Sequence, residues 1–127
     1  MGTHAMIGIW NSDTNEVIAS YVHYDGYVEG TGRTLVENYN DNILAQQVAL
    51  GGYLSALYPN YEQSRKESIH KDPATKYSSV EEYMNDGYDY AAAHYLYLWD
   101  GNAWFFAKRN GNEKTKFEEV EMNLEKV

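Results

Sequence analysis

Ala91-Ala92-Ala93-His94-Tyr95-Leu96-Tyr97-Leu98-Trp99 is followed by Asp100-Gly101 and then by Ala103-Trp104-Phe105-Phe106-Ala107. Asp-Gly between two apolar, aromatic-rich runs is a strong hairpin signal, because such turns need backbone conformations that Asp and Gly adopt readily. A second hairpin is expected at the other end of the chain. Met6 to Trp10 carries β-branched Ile7 and Ile9, Asn11-Ser12-Asp13-Thr14-Asn15 is dense in turn formers, and Val17 to His23 is again strand-like.

Between the hairpins the pattern turns helical. Thr31 or Gly32 can cap a helix from Arg33 to about Tyr39, with Leu35, Val36 and Tyr39 as its apolar stripe. Asp41 can cap a second helix over Asn42 to about Leu50, stopped by Gly51-Gly52. Residues 59–77 are polar and mixed and read as the least structured part. Ser78 or Ser79, followed by Glu81 and Glu82, resembles the start of a third helix, ended by Asp86-Gly87. Asn110-Gly111-Asn112 reads as a turn, and Phe117 to Leu124 fits an edge strand or a short helix. Strands and helices cluster rather than alternate. The expected fold class is therefore α+β, a small antiparallel sheet from two β-hairpins packed with two to three short helices.

The chain has 127 residues, which suits one domain, placed here over residues 6–127. Met1 to Ala5, directly before Met6, reads as an expression scar, so His4 is set aside from functional reasoning. There is no cysteine, which excludes disulfides, thiolate metal sites and cysteine nucleophiles. Nineteen acidic against ten basic side chains give a net charge of −9, which repels a nucleic-acid polymer. No apolar run approaches the ~20 residues that span a bilayer, and no secretory signal is visible, so a cytoplasmic protein without a membrane partner is expected. Thirteen tyrosines against three phenylalanines and three tryptophans suit surfaces where one end of the ring is buried and the other wet.

Gly26-x-x-x-Gly30-x-Gly32 at a helix start is a candidate phosphate cradle, since helix N-termini offer free N–H groups and glycines let an anion approach; Arg33 adds a guanidinium. The pattern is neither a P-loop nor a dinucleotide fingerprint, and a tight strand-to-helix corner explains it equally well. His23 and Asp25, two apart, can share a strand face as a base and its orienter, but Thr31 and Thr34 are poor nucleophiles. The natural histidines His23, His70 and His94 form no short metal-ligating pair, and no metal or cofactor is expected. Trp104, followed by Lys108 and Arg109, is a candidate stacking surface for a purine beside cations, or simply a core hairpin with a wet end.

The run His23-Tyr24-Asp25-Gly26-Tyr27-x-x-Gly30-x-Gly32-x-x-Leu35-x-Glu37-x-Tyr39 resembles a family of small phage-encoded proteins with His-Trp-Asp-Gly-Tyr-Pro-Glu-Gly-Val-Gly before a Leu-x-Glu-x-Tyr helix. Val48-x-Leu50-Gly51 and the Tyr97-Leu98-Trp99-Asp100-Gly101-x-x-Trp104 hairpin are similar to later parts of that family. Tyr24 departs from its Trp and Val28 from its Pro. The resemblance extends to phage anti-Thoeris sponge proteins, which sequester the cyclic ADP-ribose isomers made by bacterial TIR-domain defence enzymes. It implies binding without cleavage, in the cytoplasm of an infected bacterium, in pockets at the subunit contacts of a homo-oligomer. By motif position the pocket would include Tyr24, Asp25 and Gly26. The full candidate set adds His23, Tyr27, Gly30, Gly32, Arg33, Trp104 and Arg109. An acidic protein-interaction inhibitor that mimics nucleic acid, and a phosphodiesterase using His23 and Asp25, are the competing expectations.

Overall fold

The computed structural model of the protein describes residues 3–89, 91–110 and 113–125. Both expected hairpins are present. The first joins β1 (Ala5–Trp10) to β2 (Val17–Val22), with Ala5 opposite Val22 and Trp10 opposite Val17. Later in the chain, β4 (Tyr95–Trp99) and β5 (Trp104–Asn110) pair with Trp99 opposite Trp104. The sheet is nevertheless mixed, not purely antiparallel. β1 pairs β4 in parallel, Ala5 beside Tyr95 and Ile9 beside Trp99. Each hairpin alone leaves edge strands with unpaired backbone groups, and joining two of those edges satisfies them in the centre of one larger sheet.

The intervening chain supplies further elements. A single turn of π-helix, Val28–Gly32, leads directly into α1 (Arg33–Asn38), so neither Thr31 nor Gly32 caps that helix with a side chain. α2 (Asn42–Leu50) follows, with Asp41 accepting from the Leu44 N–H at 2.7 Å as its N-cap. The polar stretch 59–77, expected to be least structured, holds α3 (Tyr61–Lys66), capped by Asn60 through the Gln63 N–H, and β3 (Thr75–Tyr77), which pairs antiparallel with β2. α4 (Val80–Asp89) runs through Gly87 rather than ending there, and the Leu96 side chain packs onto the space a Cβ would take. Ala91 to Ala93 are not strand. Their N–H groups close the end of α4 onto Asp86 and Gly87, and Ala92 has φ +55°. Beyond β5, β6 (Glu113–Lys114) and β7 (Glu118–Glu119) pair with it, and α5 (Val120–Glu125) closes the described chain, so the segment expected to be strand or helix is both in turn. Gly111 and Asn112 of the expected last turn lie outside the described residues.

The described strands run in the order β3-β2-β1-β4-β5, with β6 and β7 attached to β5. Alternate side chains face opposite layers. Ala5, Ile7, Val22, Tyr97, Trp99, Trp104 and Phe106 pack under α1, α2 and α5. Met6, Val17, Ala19, Leu96 and Leu98 pack under α4 with Tyr77, Tyr83 and Tyr88. Burial on both faces explains why the central strands read as continuous apolar runs.

The tyrosine excess is largely internal. Tyr39, Tyr83 and Tyr97 are buried and donate to the carbonyls of Tyr58, Tyr97 and Gly26 respectively, so their hydroxyls link elements together. Among the described residues, no helix is long and apolar enough to cross a membrane.

Candidate functional site

The face under α4 is not fully covered. Between α4, β3 and the segment before β3 lies a cleft of about 600 Å³, inside the range of small-molecule sites. Met6 and Ala19 form its floor; Tyr21, Tyr53 and Tyr77 form its walls; Pro73 and Ala91 close it, with Asp72 and Asp86 at the polar edge. The Tyr21 and Tyr53 rings lie 5.8 Å apart at an interplanar angle of 30°. Burial raises the Tyr21 and Tyr77 hydroxyls above the ordinary tyrosine range, helped by Tyr53 in the first case and the Asp86 carboxylate in the second. Both are neutral hydroxyls at physiological pH.

Tyr53 is held from behind. Gly52, at φ +90°, takes the chain past the Asp72 carbonyl, which accepts from the Tyr53 N–H at 2.8 Å. The buried Ser20 hydroxyl donates to the Ala49 carbonyl and accepts from the Gly52 N–H. Arg65 of α3 donates to the carbonyls of Gly51 and Tyr53 and to the Tyr61 hydroxyl. The stretch that looked least structured therefore builds one wall of the cleft. Asn60-x-x-Gln63 after Pro59 was the available signal for its helix.

Beyond Tyr21 the strand registers place four nitrogen-bearing residues in one row. Ala5 pairs with both Val22 and Tyr95, and Tyr95 with Lys108, so one step outward His4 lies between His23 and His94, and His94 opposite Arg109. The His4 and His23 rings stack at 4.5 Å, and those of His4 and His94 lie 5.6 Å apart. Tyr21, on the cleft wall, is 5.8 Å from the His4 ring, so the cleft and the row adjoin. The first residues, set aside from the sequence, are thus built into the sheet: the Thr3 and His4 carbonyls accept from Gly26 and His94, and Ala5 is fully buried. Desolvation, then the nearby His4 and His70, hold the His23 imidazole below its ordinary pKa. Among the described residues, no group of three His, Asp or Glu is arranged to hold a metal ion.

The residues expected from sequence fall into three places. His23 and Arg109 lie on the imidazole row, and Tyr24 meets the His23 ring edge-on at 4.6 Å. Asp25, Gly26, Tyr27, Gly30 and Gly32 form the corner between β2 and α1. Its N–H groups are spent internally, Gly26 on Thr3, Gly30 on Tyr27 and Thr31 on Asp25, so the glycine loop is a packed corner and not an open phosphate cradle. A Cβ at Gly26 would sit 2.7 Å from that of Ala5, and one at Gly30 2.6 Å from the Asp25 carbonyl oxygen. Asp25 turns through φ +59°, Tyr24 and Tyr27 are exposed, and the His23 ring bonds the Tyr21 hydroxyl. The Thr31 and Thr34 hydroxyls donate to backbone carbonyls.

Arg33 is exposed on α1, in the opposite layer, 3.9 Å from Glu37. Trp104 is a core residue. It is 1% exposed and its indole N–H donates to the Tyr39 carbonyl, which leaves no ring face for a purine. The missed lining residues are Tyr21, Tyr53 and Tyr77. Their tyrosine identity was visible, but not their convergence from three separate segments. Comparisons of the chain with protein-family models, curated proteins and solved structures return no match.

Proposed function

We propose that the protein binds a small nucleotide of the cyclic ADP-ribose class and sequesters it unchanged, as a phage anti-defence protein would. The observation that carries this reading is the tyrosine cleft. Three rings supply stacking faces for a flat base, and Asp72 and Asp86 supply acceptors for exocyclic amino or ribose hydroxyl groups. Stacking of a base on an aromatic side chain contributes on the order of 1–3 kcal/mol. Among the described residues, the cleft lining holds no lysine, arginine or histidine, so it suits the base and sugar, not the phosphates. The resemblance at residues 23–39 supplies the ligand class, and a homo-oligomer belongs to the same reading.

The test is direct. Pure protein is incubated with a panel of cyclic ADP-ribose isomers and cyclic dinucleotides, freed of unbound ligand and heat-denatured. The released material is identified by mass spectrometry. Recovery of one intact isomer near one per subunit is the expected result, and Tyr53→Ala should reduce it. Recovery of nothing from an intact panel would overturn the reading in favour of the acidic protein inhibitor. Consumption of a panel member would overturn it in favour of an enzyme.

A further inference from the structure

The row of imidazoles ends in a recess of about 360 Å³ lined by Thr3, His94, Tyr95, Lys108 and Arg109. Arg109 and the His94 imidazole, neighbours across β4 and β5 through the Arg109 N–H to the His94 carbonyl, both line it, in a chain whose net charge is −9. Hydrogen bonding fixes which nitrogens can donate. The His94 Nδ1 accepts from the His4 backbone N–H at 3.2 Å, so the neutral His94 ring carries its proton on Nε2. The His4 Nδ1 lies 2.7 Å from the His23 carbonyl, which only accepts, so the His4 ring donates from Nδ1. Arg109 sits over the Tyr88 ring at 5.5 Å, and its partner is Asp89 at 3.5 Å. Asp89 is 63% exposed, and an ion pair of that kind is weak enough for a better acceptor to displace. A phosphate presents a guanidinium with paired oxygens, and an imidazole N–H beside it adds a charge-assisted bond.

We propose that this recess is a phosphate-binding site, and that it holds the pyrophosphate of the nucleotide whose base occupies the tyrosine cleft. The second half of this statement rests on the function proposed above; the first does not. Arg109 supplies the charge and the His94 Nε2–H a directed donor. The His4 ring, between Tyr21 on the cleft side and His94 on the recess side, joins the two halves. His4 faces Tyr21, His23 and His94; His23 also faces Tyr24 and the charge of His70. Arg109 faces Asp89 and Tyr88, and Lys114 approaches the same Tyr88 ring.

The test is calorimetric titration of the whole chain with three probes, inorganic pyrophosphate, sulfate and the phosphate-free nucleoside adenosine. Pyrophosphate is expected to bind. Arg109→Gln and His94→Gln should each weaken it roughly tenfold or more while leaving adenosine binding unchanged. Tyr53→Ala should do the converse. Failure of pyrophosphate to bind, or equal binding by both variants, would overturn the phosphate site whatever adenosine does. Failure of adenosine alone would leave the phosphate site standing and remove the base from the cleft. Identical binding of sulfate and pyrophosphate would reduce the recess to a nonspecific anion trap and overturn the proposal.

Discussion

The two arginines that sequence reasoning treated alike, Arg33 and Arg109, lie on opposite layers of the molecule. Arg33 rides the solvent side of α1 beside Glu37, an exposed pair of little energetic weight. Arg33→Ala should leave nucleotide affinity within twofold of the wild type, measured by the same titration that detects loss in Arg109→Gln. His23 carries a second residue-scale expectation. Its folded pKa is held below the ordinary value, so the folded state resists its protonation. That contribution to stability is present above about pH 6.5 and is lost as pH falls toward the folded value. The urea midpoint should therefore be lower at pH 5.5 than at pH 7.5, and His23→Gln should narrow the difference.

At the scale of elements, the cleft depends on a strap that the helices hold in place. Gly52 leaves α2 at φ +90° with the Asp72 carbonyl oxygen 2.5 Å from where a Cβ would stand. Gly52→Ala combines a left-handed strain of roughly 1–2 kcal/mol with that backbone collision. It should lower stability by about 2 kcal/mol or more in urea denaturation and weaken adenosine binding, because the strap carries Pro73 and anchors Tyr53. Local signals were legible wherever one segment determined the outcome. Asp41 capped α2 as its side-chain chemistry requires, and Asn-rich and Asp-Gly turns closed both hairpins. They were not legible where a partner decided. The expected strand start at Ala91 is spent closing α4 onto Asp86 and Gly87, and β3 is a strand only because β2 offers an edge.

At the scale of the whole molecule, one sheet serves two cores. β1 gives Ala5 and Ile7 to one layer and Met6 to the other, and β4 divides Tyr97 and Trp99 from Leu96 and Leu98 in the same way. Neither layer can lose its strands without exposing the other. Thermal unfolding should therefore be a single transition with a calorimetric-to-van't Hoff enthalpy ratio near one; two resolved transitions would show that the layers unfold separately.

The sequence by itself determined the hairpins, the helices α1, α2 and α4, the Asp41 cap, the exclusion of cysteine chemistry and the electrostatic character of the surface. Each follows from residues adjacent in the chain or from summed composition. Only the tertiary structure decided the parallel β1–β4 pairing, the burial of Trp104, the closure of the glycine corner and the meeting of Tyr21, Tyr53 and Tyr77 in one cleft. Those outcomes depend on which strand edge finds which, and on what packs above each face. A register between distant strands is a property of the pairing, not of either strand, and it is this register that brings His4, His23, His94 and Arg109 into one row.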